Sequence, residues 1–149
     1  MNLISNTALV LAFVVTTASS LVADDDIAAE MKRLEGRFER SFANAAGTVF
    51  RTVKEVGNGQ ETVVTYDDAG NVVESHQSEF KVEKRGPVRV FSFFNAVVTA
   101  GPNKGHTQLE TNSYIYRLEG DAFIEAWGLL ENDPNAPRMF SWKRVKDGK

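Results

Sequence analysis

The side chains that could do chemistry are few, and they are scattered along the chain. His76 and His106 have no His, Cys or carboxylate neighbour at a metal-ligand spacing, so each is interpreted as a surface or loop histidine. His106 is the more interesting of the two because it falls in a predicted loop, and loops carry binding groups at the mouths of barrels. The sequence contains no cysteine, which excludes disulfides, thiolate metal sites and a cysteine nucleophile.

Glu125 is the acidic residue with the most unusual surroundings, since it lies between Phe123 and Trp127 in an otherwise apolar segment. A carboxylate buried there would be a functional-site candidate. The preferred interpretation instead places Glu125 on an exposed outer face, with Ile124 and Ala126 pointing inward.

A second acidic group, Asp67, Asp68 and Asn71, contains possible calcium ligands but lacks the full loop spacing and the terminal glutamate of a calcium loop. A hairpin turn is the expected structure of this segment. No Gly-x-Ser-x-Gly elbow precedes a helix, so serine hydrolase chemistry has no support either. The sequence therefore predicts no catalytic residue, no metal and no cofactor, and the protein is not expected to be an enzyme.

Composition limits the possible classes of protein further. A chain of 149 residues with 42% hydrophobic and 10% aromatic residues suits one globular domain with a sizeable core. A net charge of -3 and a pI near 5.4 offer no broad attraction for phosphate backbones. Nucleic acid is therefore not expected as a partner.

The N-terminal segment indicates the compartment. An apolar run over residues 8–15, followed by small and polar residues at 16–20, has the order and length of a secretory signal peptide. A membrane anchor is the alternative, but a spanning helix needs about 20 predominantly apolar residues, and polar residues interrupt this segment. We therefore expect residues 1–23 to be a signal peptide, and residues 24–149 to form one domain that is secreted or periplasmic and does not span a membrane.

Local patterns predict one helix followed by many short strands. Asp24–Asp26 can cap a helix of two to three turns. Its apolar stripe consists of Ile27, Met31 and Leu34. Beyond Gly36 the helical period disappears, and β-prone runs alternate with turn signals such as Asn58-Gly59. The predicted strands span residues 37–43, 48–56, 60–66, 71–75, 78–84, 88–99, 108–118, 122–130 and 138–146.

These strands are expected to form a meander. Strands joined by tight turns pair antiparallel with their neighbours, because a parallel return needs a crossover of about a dozen residues or more. A closed barrel and a sandwich both fit, and the barrel is preferred because closure removes exposed edges. The predicted fold class is mainly β: an antiparallel up-and-down meander that closes into a barrel of about eight to nine strands, with one short N-terminal helix.

The order of the motifs resembles the lipocalin-like, or calycin, pattern. A short helix leads into Leu34-Glu-Gly-Arg-Phe38, and the meander ends in Phe140-Ser-Trp-Lys-Arg-Val-Lys146. The segment Gly101–Thr107, followed by Tyr114–Asp121, is similar to small secreted lipocalin-like domains of bacteria. The resemblance implies an extracytoplasmic protein that binds a small apolar or amphipathic molecule.

The resemblance also implies how one end of the barrel closes. In lipocalin-like proteins the first strand carries Gly-x-Trp, and a basic residue of the last strand packs across that ring. Gly36, Phe38 and Arg144 occupy these places, with Phe in place of Trp, and their implied role is structural. Phenylalanine keeps a ring face for a cation–π contact of about 0.5–2 kcal/mol but lacks the indole N–H. The alternative is that Phe38 is an ordinary core residue and Arg144 a solvated one.

The interior of the predicted barrel could be hollow or filled. Binding sites are mostly apolar with a few placed polar groups, and Tyr and Trp supply both characters. The same aromatic residues could instead fill a narrow barrel. The protein would then be a structural or protein-interaction module of the cell envelope or extracellular space, able to contact a partner or another copy. The candidate residues are Phe50, Phe80, Phe91, Phe93, Tyr114, Tyr116, Trp127 and Trp142.

Overall fold

A computed structural model of the chain describes residues 19–131 and 136–146. Residues 1–18 of the predicted signal peptide lie outside this part. Within it, the helix α1 (Ser19–Leu34) is followed by nine strands. They are β1 (Gly36–Ala43), β2 (Val49–Gly57), β3 (Gln60–Tyr66), β4 (Val72–Arg85), β5 (Val88–Ala100), β6 (Thr107–Gln108), β7 (Asn112–Glu119), β8 (Ala122–Trp127) and β9 (Arg138–Val145).

The strands form one antiparallel sheet that closes on itself. The order is β4-β3-β2-β1-β9-β8-β7-β5, and a pairing between β4 and β5 completes a barrel of eight strands. The short β6 pairs with the far end of β5 as an additional strand. The predicted fold class, a mainly β antiparallel barrel with one helix on its N-terminal side, is confirmed. Closure satisfies the backbone groups that an open sheet would leave unpaired at its two edges.

The β2–β3 hairpin shows how local chemistry sets the register. Asn58 and Gly59 both have positive φ, at 53° and 72°, as a two-residue type I′ turn requires. Gly57 therefore pairs with Gln60, and each pair further along the two strands follows from that one. The predicted turn is confirmed.

The segment from Asp67 to Asn71 forms the predicted turn between β3 and β4. The Asn71 backbone N–H donates to Asp67 Oδ1 at 2.7 Å, and the Asn71 amide donates to Oδ2 at 2.9 Å. These hydrogen bonds, the amide one first, lower the pKa of the Asp67 carboxyl. No group of three or more His, Asp or Glu residues in the described ranges could hold a metal ion.

Apart from shifts of a few residues at strand ends, the predictions are wrong for three elements. The helix begins at Ser19, so Asp24–Asp26 lies inside α1 rather than at its N-cap. The predicted strands 71–75 and 78–84 are one strand, β4, because two register shifts in its pairing with β5 bend the strand without ending it. The predicted strand 108–118 is divided into β6 and β7.

The barrel has a filled end, which we call the base, and an open end, which we call the mouth. The base is where β1 begins, and the mouth is where β1 ends. Ile27 and Met31 of α1 pack against the core at the base, and Leu34 is part of that core, as the predicted apolar stripe requires. The buried core consists of Leu34, Phe38, Val56, Phe80, Val82, Phe91, Tyr114, Tyr116, Phe123 and Trp142.

Arg144 joins three elements at the base. Its guanidinium carbon lies 4.4 Å from the centroid of the Phe38 ring. Its two terminal nitrogens donate to the carbonyls of Glu35, at 2.7 Å, and Arg33, at 2.6 Å, where α1 ends. Gly36 has φ of 137°, and a Cβ at this position would collide with the Arg144 guanidinium. The contact that the resemblance implied is therefore present, and it ties α1 and β1 to β9.

Gly36→Ala should disrupt this arrangement. We expect the substitution to lower the free energy of unfolding by about 1–3 kcal/mol, because it strains the backbone and displaces Arg144. Gly57 is a matched control, since it lacks a positive φ and a Cβ there meets nothing within 4 Å. Gly57→Ala should leave stability unchanged or raise it by up to about 1 kcal/mol. Urea unfolding measures both variants, and equal stabilities would contradict the proposed packing.

Candidate functional site

The half of the barrel toward the mouth encloses a cavity of about 360 Å³. All eight barrel strands contribute to its wall, so its shape depends on the closed barrel as a whole. Its volume falls near the lower end of the range for small-molecule sites, about 300–1,000 Å³. The lining residues are Arg40, Phe42, Thr52, Lys54, Glu61, Val63, Thr65, Glu74, His76, Phe93, Tyr114, Glu125, Trp127, Arg138, Phe140 and Trp142.

The aromatic residues predicted for the interior divide between cavity and core. Four of them line the cavity: Phe93, Tyr114, Trp127 and Trp142. Three pack in the filled base without lining the cavity: Phe80, Phe91 and Tyr116. Phe50 is also absent from the lining, and its ring stacks on Phe42 with centroids 5.5 Å apart. The interior is therefore filled at the base and hollow at the mouth, which combines the two alternatives left open by the sequence.

A row of stacked rings connects the base to the cavity. The rings of Phe80 and Phe91 are 4.8 Å apart, those of Phe91 and Tyr114 are 5.1 Å apart, and those of Tyr114 and Trp127 are 4.8 Å apart. These residues lie on β4, β5, β7 and β8, which are consecutive around the barrel. Because each ring is held by its neighbours, this side of the cavity wall is preorganised.

The floor of the cavity is a group of buried ions. Lys54 Nζ lies 2.6 Å from Glu61 Oε1, is ion-paired with Glu125 Oε1 as well, and donates to Tyr114 Oη at 3.1 Å. Trp127 Nε1 donates to the second oxygen of Glu125 at 3.1 Å. The Lys54 side chain is 4% exposed and both carboxylates are 2% exposed. Charges buried this deeply are stable only when they are paired and hydrogen-bonded, as they are here.

Aromatic rings surround the Lys54 ammonium. Its nitrogen lies 4.9 Å from the ring centroid of Trp142, 5.2 Å from those of Tyr114 and Phe123, and 5.6 Å from that of Phe91. Burial by itself lowers the pKa of Lys54, but the two carboxylates outweigh that effect, so the pKa is raised. The two carboxylates therefore favour the charged form of Lys54 at the floor of the cavity.

The preferred interpretation of Glu125 as an exposed outer residue is wrong. Glu125 is buried inside the barrel, while Ile124 and Ala126 are only half-buried. The reason is its partner Lys54, on a strand that is not adjacent to β8, which supplies the counter-charge that makes burial possible. A contact across the barrel of this kind leaves no local pattern in the sequence.

The prediction of a surface or loop position is wrong for one of the two histidines and confirmed for the other. His76 is half-buried on β4 and lines the cavity, so its interpretation as a surface or loop histidine is wrong. Burial lowers the pKa of His76, and the nearby charge of Glu61 opposes that shift in part. His106 is exposed in the loop between β5 and β6, as predicted.

Arg40 forms the opposite wall of the cavity, where it is stacked among aromatic rings. Its guanidinium carbon lies 4.2 Å from the centroid of Phe140, 4.7 Å from that of Trp142 and 5.3 Å from that of Phe42. A second guanidinium, that of Arg138, lies 5.3 Å from the same Phe140 ring. Burial lowers the pKa of Arg40; Glu125 opposes this shift and Arg138 adds to it.

The mouth is surrounded by exposed apolar side chains. Each large exposed hydrophobic residue identified in the described part of the chain lies near or beyond the mouth end of its strand, and none lies at the base. They are Phe42, Val49, Val72, Val73, Val97, Leu109, Leu129 and Met139. We call this set the mouth rim.

Sequence reasoning missed the charged residues of the site, although part of the signal was present. The predicted turn at Asn58-Gly59 pairs Val56 with Glu61, which puts Lys54 and Glu61 on one face of the hairpin. Arg40 likewise shares a face with Phe38, two residues earlier in β1. The local pattern does not show which face of each hairpin points into the barrel.

Comparisons with protein-family models, with curated proteins and with solved structures found no match. The closed barrel of eight antiparallel strands is consistent with a lipocalin-like architecture at a coarse level. In the ranges that the structure describes, no helix has both the length and the apolar character needed to cross a membrane.

Removal of the Lys54 ammonium should destabilise the barrel strongly. We expect Lys54→Met to lower the free energy of unfolding by about 3–5 kcal/mol, because it leaves Glu61 and Glu125 buried without their cation. The triple variant Lys54→Met/Glu61→Gln/Glu125→Gln should recover most of that loss, since no buried charge then lacks a partner. Lys143→Met, at an exposed position on β9, is the control and should change stability by less than about 0.5 kcal/mol. If Lys54→Met in urea unfolding resembles the control, the ion cluster is not a structural requirement.

The same cluster predicts a loss of stability at alkaline pH. Burial, followed by the charges of Glu125 and Glu61, raises the pKa of Tyr114 well above the ordinary value of a tyrosine, and the pKa of Lys54 is raised as well. A group with a higher pKa in the folded state stabilises the fold fully below its unfolded pKa and loses that contribution as the pH rises toward its folded pKa. The free energy of unfolding should therefore fall above about pH 10. The free energy of unfolding of Tyr114→Phe, measured by urea titration at each pH, should fall less steeply across this range. Identical slopes for the variant and the unmodified protein would contradict the role assigned to Tyr114.

Proposed function

We propose that the protein is an extracytoplasmic binding protein for a small amphipathic molecule, held in the cavity at the mouth of the barrel. The observation that carries the proposal is an open cavity of about 360 Å³ whose wall combines aromatic rings with a few charged and polar groups. Sites for small molecules have this composition because apolar surface supplies affinity and placed polar groups supply orientation. The location outside the cytoplasm rests on the signal-like segment at residues 1–23.

Two parts of the wall suit the two parts of an amphipathic ligand. Phe93 and Trp127 offer ring faces beside the stacked row, against which a flat apolar body can pack. Thr65, His76 and Arg40 offer polar groups on the wall of the same cavity. A ligand with one polar end fits this division better than a purely apolar one.

The buried ions favour binding over catalysis. Lys54, Glu61 and Glu125 are ion-paired with one another and almost inaccessible, so they are suited to holding the floor of the cavity rather than to exchanging protons with a ligand. Their net effect is a rigid, preformed site, which lowers the entropic cost of binding.

A neutral fluorescent probe, N-phenyl-1-naphthylamine, tests the proposal on the purified mature chain. We expect saturable binding at one site per molecule. Thr65→Trp should abolish it by filling the cavity, whereas Thr62→Trp, on the same strand with its side chain outside the cavity, should not. The absence of saturable binding in the unmodified protein, together with no copurifying molecule in native mass spectrometry, would rule the proposal out.

The mouth rim favours a second candidate, a protein-interaction module. In the part of the chain that the structure describes, eight exposed apolar side chains lie around the opening, and exposed patches of this kind mark contact surfaces. Sedimentation of the same samples separates the two functions. Association at micromolar concentration without probe binding supports the module, and a monomer that binds the probe supports the ligand carrier.

A further inference from the structure

We propose that the ligand is an organic anion, whose carboxylate or sulfonate group is held by Arg40 and Trp142. This inference rests on the proposed function and specifies the chemical class of its ligand. It comes from hydrogen-bond donors on the cavity wall that have no acceptor.

Two buried N–H groups on the wall have no hydrogen-bond partner in the described part of the structure. They are Nε of Arg40 and Nε1 of Trp142. Both side chains line the cavity, and Trp142 is only 3% exposed. A buried donor without an acceptor is destabilising, so a ligand that supplies an acceptor recovers that free energy.

The charge of Arg40 is also without a direct counter-ion. It forms no ion pair with any carboxylate that the structure describes, although three glutamates line the same cavity. Glu61 and Glu125 are already paired with Lys54, and Glu74 is exposed. Glu125 acts on the charge of Arg40 only from a distance, so the hydrogen-bonding position at the Arg40 guanidinium is left for an external anion.

The arrangement of the rings makes Arg40 a fixed donor. Phe140 and Trp142 each lie within 5 Å of its guanidinium carbon, which holds the planar group in place and excludes water from part of it. The positive charge of Arg138 lies near the same Phe140 ring. An anion bound next to Arg40 would reduce the repulsion between these two cations, and a neutral ligand would not.

A matched pair of probes tests the charge of the ligand. The probes are 1-anilinonaphthalene-8-sulfonate and N-phenyl-1-naphthylamine, which share one aromatic body and differ in the sulfonate. We expect the unmodified protein to bind the sulfonate at least about 10-fold more tightly, the effect of one hydrogen-bonded charge. Thr65→Trp should abolish binding of both probes, which separates the cavity from adventitious sites on the surface.

Three variants locate the anion. Arg40→Gln should weaken sulfonate binding by about 10- to 100-fold, and Trp142→Phe, which keeps a ring but removes the N–H, by about 3- to 10-fold. Each variant should weaken sulfonate binding more than binding of the neutral probe, so the ratio of the two affinities falls. Arg117→Gln, at an exposed position on β7, is the control for net charge and should leave both probes unaffected.

The outcomes separate this inference from the proposed function. If neither probe binds, the proposed function fails, and the inference fails with it. If both probes bind the cavity with equal affinity, the proposed function stands and the inference that the ligand is an anion is contradicted. The ratio of the two affinities in the unmodified protein tests the charge of the ligand even if Arg40→Gln does not fold. If Arg40→Gln folds and binds the sulfonate as tightly as the unmodified protein, Arg40 does not hold the anion.

Discussion

The ion cluster of Lys54, Glu61 and Glu125 is the constraint on which the rest of the interior depends. Lys54 and Glu61 come from the β2–β3 hairpin, and Glu125 comes from β8, so the cluster connects strands that are not neighbours in the sheet. A shift of one residue in any of these strands would turn one ion outward and leave the others buried without a partner. The cluster therefore links the register of the strands to the closure of the barrel.

The cluster also divides the barrel into two functional halves. Below it, the rings of Phe91 and Phe123 pack into a solid core that α1 covers and Arg144 closes. Above it, aromatic rings together with charged and polar groups line the cavity. The stacked aromatic row continues through both halves, which means that the base holds the wall of the cavity in place.

Much of the fold could be predicted from local patterns, and the candidate site could be predicted only in part. Turn chemistry at Asn58-Gly59 and the alternation of short β-prone runs predicted an antiparallel meander, because strands joined by tight turns pair antiparallel. The barrel was preferred to a sandwich because closure removes exposed edges. The prediction of two strands in place of β4 was wrong. The predicted gap between them coincides with the irregular pairing of β4 with β5, which does not interrupt the strand. Glu125 and His76 were misplaced because their burial depends on residues that are distant in the sequence.

The sequence by itself determined the tight turns and the antiparallel pairing of the strands that they join, since these depend on residues a few positions apart. Tertiary structure alone decided which face of each strand is inside and which buried charges meet. The period of a strand is two, so its inner and outer faces have the same pattern until the strands across the barrel are known. Arg40, Lys54 and Glu125 form one site only because closure brings β1, β2 and β8 around a common interior.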